Sequence, residues 1–361
     1  MAGKSLRNPR AWPLVAAVVA MMVGAIGISA QSRPLQPSTA PGSAWTPART
    51  LDGQPDLQGL WVNNTVTPFF RPKELADKPL LTSAEVEVLK TRAARLFGAD
   101  ADAETAPGDE LFAALVTNPE RFRADRTARP TGDTNYFWQA VPLVFENRTS
   151  QIIDPPNGLL PPLTSAGQRW QEERARSQRE HPADGPEDRH SYERCIVQSP
   201  IKVGFVQSRA NSYFQIVQTR QFVMIESEQI HEARIIALDR QSHLPPAIRL
   251  WLGDSIARWE GASLVIDTTN FHPQSVFRPI ARGAFPSAQF HTIERLTPID
   301  ANTLQYQVTV DDRSTWTTPW TAATTWQRTN ARSFEFACHE GNYSLGGILR
   351  GAREDERGAQ K

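Results

Sequence analysis

NSYFQIVQTRQFVMIESEQIHEARIIALDR, residues 211–240, carries the clearest secondary-structure pattern in the chain. Val, Ile, Phe and Tyr alternate in it with Gln, Glu, Arg and Ser, a period of two that belongs to strands and not to helices. Strict alternation puts Val223, Ile225 and Ser227 on one face of a strand, and Phe222, Met224, Glu226 and Glu228 on the other. After a short connection His231 shares a face with Ala233 and Ile235, while Glu232 and Arg234 take the opposite one. The same character continues downstream. Strands are expected near 212–218, 222–228, 230–238, 255–260, 263–269, 289–297, 303–310, 321–328 and 333–338, with clear turns at Glu260-Gly261 and Asp300-Ala301-Asn302. So many sequential strands with local connections predict an antiparallel meander that closes into a barrel or folds into a sandwich, because closure removes exposed edges.

Upstream of the meander the pattern changes. TSAEVEVLKTRAARLF, residues 82–97, sets Val86, Leu89, Ala93 and Leu96 on one helical stripe, with Thr82 or Ser83 as N-cap and Glu85 in the first turn. Further helices are expected over 109–116 and 164–180, the latter mostly solvated charge anchored by Trp170. Between them QIIDPPNGLLPPLT, residues 151–164, has Pro-Pro pairs that exclude helix and force an extended path. The expected plan is therefore a single β-rich domain over 55–353, with a helical insert about 82–180, a meander about 195–343 and a disordered tail over 354–361.

The N-terminus reads as an export signal. Lys4, Arg7 and Arg10 precede an apolar run to Ile28, and Ile28-Ser29-Ala30 offers a small-residue cleavage site, so residues 1–30 are expected to leave as a signal peptide. A Pro/Ser/Thr-rich leader over 31–54 follows. The destination is periplasmic or secreted, with no stable membrane insertion after cleavage. In an oxidising compartment the two cysteines, Cys195 and Cys338, either pair, which the chain-entropy model values at roughly 4–5 kcal/mol, or remain separate buried thiols. The whole chain balances 39 Lys+Arg against 39 Asp+Glu; without the signal's three cations the balance is 36 to 39, a net charge of −3. Such a chain lacks the basic footprint of a nucleic-acid binder.

Gly59-Leu60-Trp61 at the first strand, followed by a long meander, resembles the opening of lipocalin-like barrels, in which the Trp plugs one end. More widely, PDLQGLW, IIDPPNGLLPPLT, RLWLGDSIARWEG with LVIDTTNF, FHTIERL, and ACHEGNY with GGILRGAR resemble a family of exported proteins common in soil bacteria. That resemblance spans Pro55 to Arg353 and implies a single β-rich exported unit. It carries over no reaction, cofactor or catalytic residue.

All seven histidines fall after residue 180. In the hairpin over 222–238, Glu226 and His231 are the best candidates for an acid/base pair, with Arg234 holding an anionic group; the alternative is an outward strand surface of Glu/Arg pairs. In FHTIERL, His291 shares a face with Ile293 and Arg295, and Glu294 with Phe290 and Leu296, so either one of the two polar residues points into something polar or one face of the strand is simply solvent. In ACHEGNY, Cys338 and His339 point to opposite sides of a strand, which disfavours a Cys/His nucleophile and leaves His339 as an acid/base candidate beside a disulfide at Cys338. Asp254 and Asp267 sit by turns and are assigned to turn hydrogen bonds ahead of catalysis. No HExxH, CxxC, GxSxG, P-loop or GxGxxG occurs. No cofactor is required by the sequence, although His231, His291, His339 and a carboxylate could assemble a divalent metal site across strands. Trp316 and Trp320 mark an aromatic cleft for a flat ligand.

These readings converge on an exported β-barrel enzyme that takes a small apolar or aromatic molecule and works by His/carboxylate acid-base chemistry, as an isomerase, lyase, cyclase or hydrolase. Glu226, His231, His291 and His339 would carry the proton transfers, with Arg234, Trp316 and Trp320 binding the substrate. The alternatives are a lipocalin-like small-molecule carrier without turnover, and a structural or envelope-associated protein whose polar strands face water. The partner in the first two is a small-molecule ligand.

Overall fold

The computed structural model describes residues 45–63, 65–96, 112, 116, 144–197, 199, 201–202, 213–275 and 287–359. The signal and most of the leader lie outside the described residues, as does the 109–116 helix apart from Phe112 and Val116, which are helical. Among the described residues no helix is long and apolar enough to cross a membrane.

Ten strands form one sheet: β1 (Gly59–Val62), β2 (Ile152–Asp154), β3 (Tyr213–Gln218), β4 (Phe222–Ser227), β5 (Glu232–Ala237), β6 (Asp254–Glu260), β7 (Ser263–Thr269), β8 (His291–Asp300), β9 (Thr303–Asp311) and β10 (Trp320–Arg328). Their order is β1-β3-β4-β5-β6-β7-β8-β9-β10-β2, and β1 also pairs with β10, so nine strands close a ring and β2 extends β10 outside it. Each antiparallel step reverses strand direction, so a nine-membered ring cannot close with antiparallel steps alone. The odd step is β5–β6, which is parallel through Ala237↔Ile256 and is bridged by a crossover over 238–253. The expectation of a purely antiparallel meander with local connections is corrected at this one seam.

The core-facing set alternates along the strands as the sequence suggests. Phe214 and Ile216, Val223 and Ile225, Leu264 and Ile266, and Leu304, Tyr306, Val308 and Val310 are all buried in one cluster. Inside it Phe214, Trp326 and Tyr306 form a three-ring stack, with centroids 4.5 Å and 5.0 Å apart. Trp61 is buried in the same core, and its Nε1 donates to Leu57 O at 2.9 Å. The Arg328 guanidinium lies 4.5 Å over its ring. Gly59 (φ 126°) makes this approach possible: a Cβ there would lie 2.5 Å from Arg328 Nη1.

Three helices with described bounds accompany the barrel. Helix α1 (Ser83–Leu96) starts with a capping box in which Glu85 N donates to Thr82 Oγ1 at 3.3 Å and Thr82 N to Glu85 Oε2 at 2.8 Å. Its Leu89 and Ala93 join Val66, Leu75, Leu81 and Phe112 in a satellite core. Helix α2 (Ser165–Glu180) is capped by Thr164, whose Oγ1 accepts from Gly167 N at 3.0 Å. Gly167 lies so close to the backbone of Thr315 that a Cβ would sit 2.4 Å from its carbonyl oxygen.

Helix α3 (Tyr343–Ala359) overturns the disordered tail expected from 354. Ion pairs one turn apart, Arg353–Glu356 at 2.6 Å and Arg357–Glu354 at 2.9 Å, support it. The strand expected over 333–338 is also absent: these residues have no ladder partner, because the far side of β10 is already taken by β1 and β2. The two cysteines form a disulfide, Cys195–Cys338, with Cα atoms 5.8 Å apart.

Candidate functional site

The two faces of the wall carry two separate polar groups, and each begins from the alternation of β8. Thr292, Glu294 and Leu296 point inward; His291, Ile293 and Arg295 point outward. Both members of the FHTIERL dilemma therefore meet polar partners, on opposite sides of the sheet.

On the outer face, Asp267 of β7 lies in a cross-strand row between Ile256 of β6 and Ile293 of β8. His291, diagonal to it on β8, places Nε2 at 2.8 Å from Asp267 Oδ1. His243, brought over the same face by the β5–β6 crossover, places its own Nε2 at 3.0 Å from that same oxygen. Its Nδ1 lies 3.0 Å from Asp254 Oδ2. Asp254, on β6, is buried under the crossover and accepts two further bonds from Arg240, at 2.8 and 2.9 Å, and one from Leu244 N at 2.8 Å. The result is a chain Arg240–Asp254–His243–Asp267–His291.

The electrostatics follow from these contacts. Burial pushes the Asp267 carboxyl up, but the hydrogen bonds and charges of His291 and His243 outweigh it and hold the group below the usual carboxylate range. His291 moves the other way: the Asp267 hydrogen bond raises it above an ordinary histidine, burial opposes, and the charges of Asp267 and Asp311 add to the rise. For Asp254 burial again pushes up, and the bonds from Arg240, Leu244 N and His243 pull it below the ordinary value. His291 and Asp267 keep about a third and a quarter of their side chains exposed, 36% and 27%, so this end of the chain is open to a molecule in solution.

The inner face holds a buried charge group. Arg234 of β5 makes a two-pronged pair with Glu294, Nη1 and Nη2 donating to its two oxygens, the second at 2.9 Å. Tyr306 O–H donates to Glu294 Oε1 at 2.5 Å. Lys202 N donates to the Tyr306 oxygen at 3.2 Å, while Lys202 Nζ pairs with Glu232. Burial, with the charge of Glu294, holds the Tyr306 phenol far above its ordinary value. Every one of these groups is at least nine-tenths buried, and Lys202 Nζ also donates to Ser199 O at 3.1 Å, so the arrangement is a pin across the barrel.

The residues singled out in the sequence are thus distributed. Arg234 is inside, its guanidinium committed to Glu294 and not to an external anion. Glu226 sits on the outer face of β4, and His231 is exposed in the β4–β5 turn; β5, β6 and β7 separate them from His291. His339 is exposed in a turn beyond the disulfide. Trp316 and Trp320 pack edge to face, 5.7 Å apart, and are fully buried in the core. His291 alone of the four acid/base candidates joins the outer cluster. Among the described residues no group of His, Cys, Asp or Glu has the geometry to hold a metal ion. The partners that sequence reasoning missed are His243, which precedes Leu-Pro-Pro in a crossover without periodicity, and Asp254 and Asp267, which it assigned to turns although both lie on strands. The one available signal was their spacing: each faces outward on a strand whose other outward positions include Ile256 and Val265.

Comparison with models of known families, with characterised proteins and with solved structures finds no match for this chain.

Proposed function

We propose that the chain is an exported acid-base enzyme in which His291 exchanges a proton with a small apolar or aromatic substrate and Asp267 holds and stabilises the imidazole. The observation that carries this reading is the convergence of two Nε2 atoms on a single oxygen of Asp267. An Nε2–H donated to Asp267 leaves the lone pair of His291 on Nδ1, which is uncommitted among the described residues. That nitrogen takes a proton from the substrate, the imidazolium so formed is stabilised by Asp267, and the proton returns at another position or to a leaving group. His243 and Asp254, with Arg240 behind them, keep Asp267 from swinging away. Ile256 and Ile293, flanking Asp267, offer an apolar floor, which supports a substrate of the same character. Export is supported by the signal-like first thirty residues and the disulfide. The carrier reading draws its support from the barrel alone, and Phe214, Tyr306 and Trp326 occupy the interior such a ligand would need.

The test is base-catalysed ring opening of 5-nitrobenzisoxazole, an apolar aromatic probe that loses one carbon-bound proton as its N–O bond breaks. Wild-type protein is expected to exceed His291→Ala by about 10²-fold or more, the usual worth of a positioned base. Equal rates for wild type, His291→Ala and Asp267→Asn would remove the proposal.

A further inference from the structure

Beyond the outer-wall site, a second titratable group is held in a geometry the proposed reaction does not use. At the end of β4 the chain turns through Glu228, Gln229, Ile230 and His231, with Ile230 (φ 61°) and His231 (φ 52°) both in the left-handed region that β-branched and bulky residues avoid. Four ties converge on this turn and its neighbours. Gln229 Nε2 donates to Tyr192 Oη at 2.9 Å. Phe334 N, in the irregular segment 329–342, donates to Glu228 Oε1 at 2.9 Å. Four residues on, the same segment is joined to the Tyr192 turn by the Cys195–Cys338 disulfide, and Asn342 Nδ2 donates to Glu193 O at 2.7 Å. The barrel turn, the Tyr192 turn and the C-terminal segment thus make a closed ring with Glu228 as one link.

Glu228 is 2% exposed, and its Oε2 is buried with no partner among the described residues. Burial pushes its carboxyl up to about 7, with the Phe334 N–H acting in the opposite direction. The charged and titratable groups carried by the surrounding elements are Glu226 on β4, His231 in the turn, Glu232 on β5, Tyr213 on β3, Arg189, His190, Tyr192, Glu193 and Arg194 in the Tyr192 turn, and Arg332, Glu335, His339 and Glu340 on the C-terminal segment. Glu232 is paired with Lys202, Glu193 with Arg189, and Arg194 with Glu187, and among the described residues none of these cations is hydrogen-bonded to Glu228. On β3, Tyr213 O accepts from Glu228 N at 3.0 Å. A neutral carboxyl fits such a place, its carbonyl oxygen accepting from Phe334; a carboxylate there has one neutral donor and no counter-ion.

We propose that Glu228 is a proton-operated latch: as the neutral acid it stays buried, accepting from Phe334 N and holding the C-terminal segment against the β4–β5 turn, and on losing its proton the carboxylate, although the stronger acceptor, leaves the buried place for water and so releases that segment, which the Cys195–Cys338 disulfide keeps tethered. The sign follows from the raised value. The clamp is fully present below the ordinary glutamate range, near 4.3, weakens as pH rises, and is lost as pH passes the folded value of about 7. Each pH unit in that window shifts the closed–open balance by about tenfold.

Hydrogen exchange of the full chain reads the latch directly. The protection factor of the Phe334 amide, corrected for the intrinsic pH dependence of exchange, is expected to fall about tenfold per unit between about pH 5 and 7 in wild type. In Glu228→Gln, which keeps a carbonyl acceptor and cannot ionise, it stays at the acid-limit value throughout. Protection that is flat with pH in wild type, or that declines equally in Glu228→Gln, overturns the proposal. Should Glu228→Gln not fold, the ¹³C carboxyl resonance of Glu228 in wild type decides: a midpoint shared with the Phe334 amide shift near 7 supports the latch, and a midpoint in the ordinary glutamate range overturns it.

Discussion

Replacing Glu294 should destabilise the barrel far more than replacing Glu294 and Arg234 together. Glu294 is fully buried and accepts three bonds, two from Arg234 and one from Tyr306, and Arg234 is itself only 6% exposed. Glu294→Gln keeps the shape and one acceptor oxygen but strands a guanidinium without its counter-ion. Breaking a buried pair from one side costs about 3–5 kcal/mol. If Tyr306 also loses its acceptor, the unmade bond costs a further ~1–3 kcal/mol. Against a total stability of roughly 5–15 kcal/mol, the single substitution consumes a large share of what holds the barrel. Arg234→Met with Glu294→Leu removes both charges and fills the space with apolar atoms, so only the Tyr306 hydroxyl remains unserved. That double variant should lie within about 3 kcal/mol of wild type, well short of the sum of the two single changes. Urea unfolding followed by tryptophan fluorescence, with m values checked for equality, measures Glu294→Gln and the four corners of the cycle: wild type, Arg234→Met, Glu294→Leu and the double variant. A loss under about 1 kcal/mol for Glu294→Gln, or a double variant as unstable as the two singles added, would refute the reasoning.

Other consequences are as specific. Asp267 is depressed and His291 raised, so their pairing contributes stability that is lost as pH falls through the lowered Asp267 value and lost again as pH rises through the raised His291 value. It is fully present between the ordinary values, about 3.9 and 6.5, and Asp267→Asn should flatten both limbs of the stability–pH curve. Gly167→Ala forces a Cβ to within 2.4 Å of Thr315 O and should cost about 1–3 kcal/mol by thermal or urea unfolding. Gly347→Ala, on α3 with nothing within 4 Å, should instead stabilise by ~0.5–1 kcal/mol. Cys195→Ser with Cys338→Ser releases a closure spanning 143 residues and should lower stability by about 4–5 kcal/mol; an unchanged urea midpoint would contradict it.

The strands from β3 to β10 were legible because each buries one face, and a half-buried strand writes its period into the sequence. Eight of the nine expected over 212–338 form, and the face partition of β4 and β5 is as alternation requires. Which face of β5 is the inside was not legible. Ala233 and Ile235 are the apolar pair and are exposed, whereas Glu232 and Arg234 point inward, because Lys202 and Glu294 arrive from distant segments to neutralise them. Burial of paired charge inverts the usual rule, and the partners lie 30 and 60 residues away. The parallel seam was hidden for a related reason: the direction of β6 relative to β5 is set by ring closure, a property of all nine strands. Helix α3 was masked by Gly346, Gly347 and Gly351, which weaken its helical signal. Of the candidate site, His291 could be found from a polar side chain in an apolar strand; Asp254 and Asp267 could be noticed but not assigned; His243 acquires its role only when the crossover is laid over β6 and β7.

In the proposed mechanism Asp267 gathers the Nε2 atoms of His291 and His243 and so leaves Nδ1 of His291 to exchange the proton. Long-range ¹H–¹⁵N correlation spectra of the histidine side chains at a pH above the raised His291 value test it most directly. His291 is expected as the Nε2–H tautomer with an unprotonated Nδ1, and Asp267→Asn is expected to lose that preference. A His291 that carries its proton on Nδ1, or a tautomer unchanged by Asp267→Asn, would contradict it.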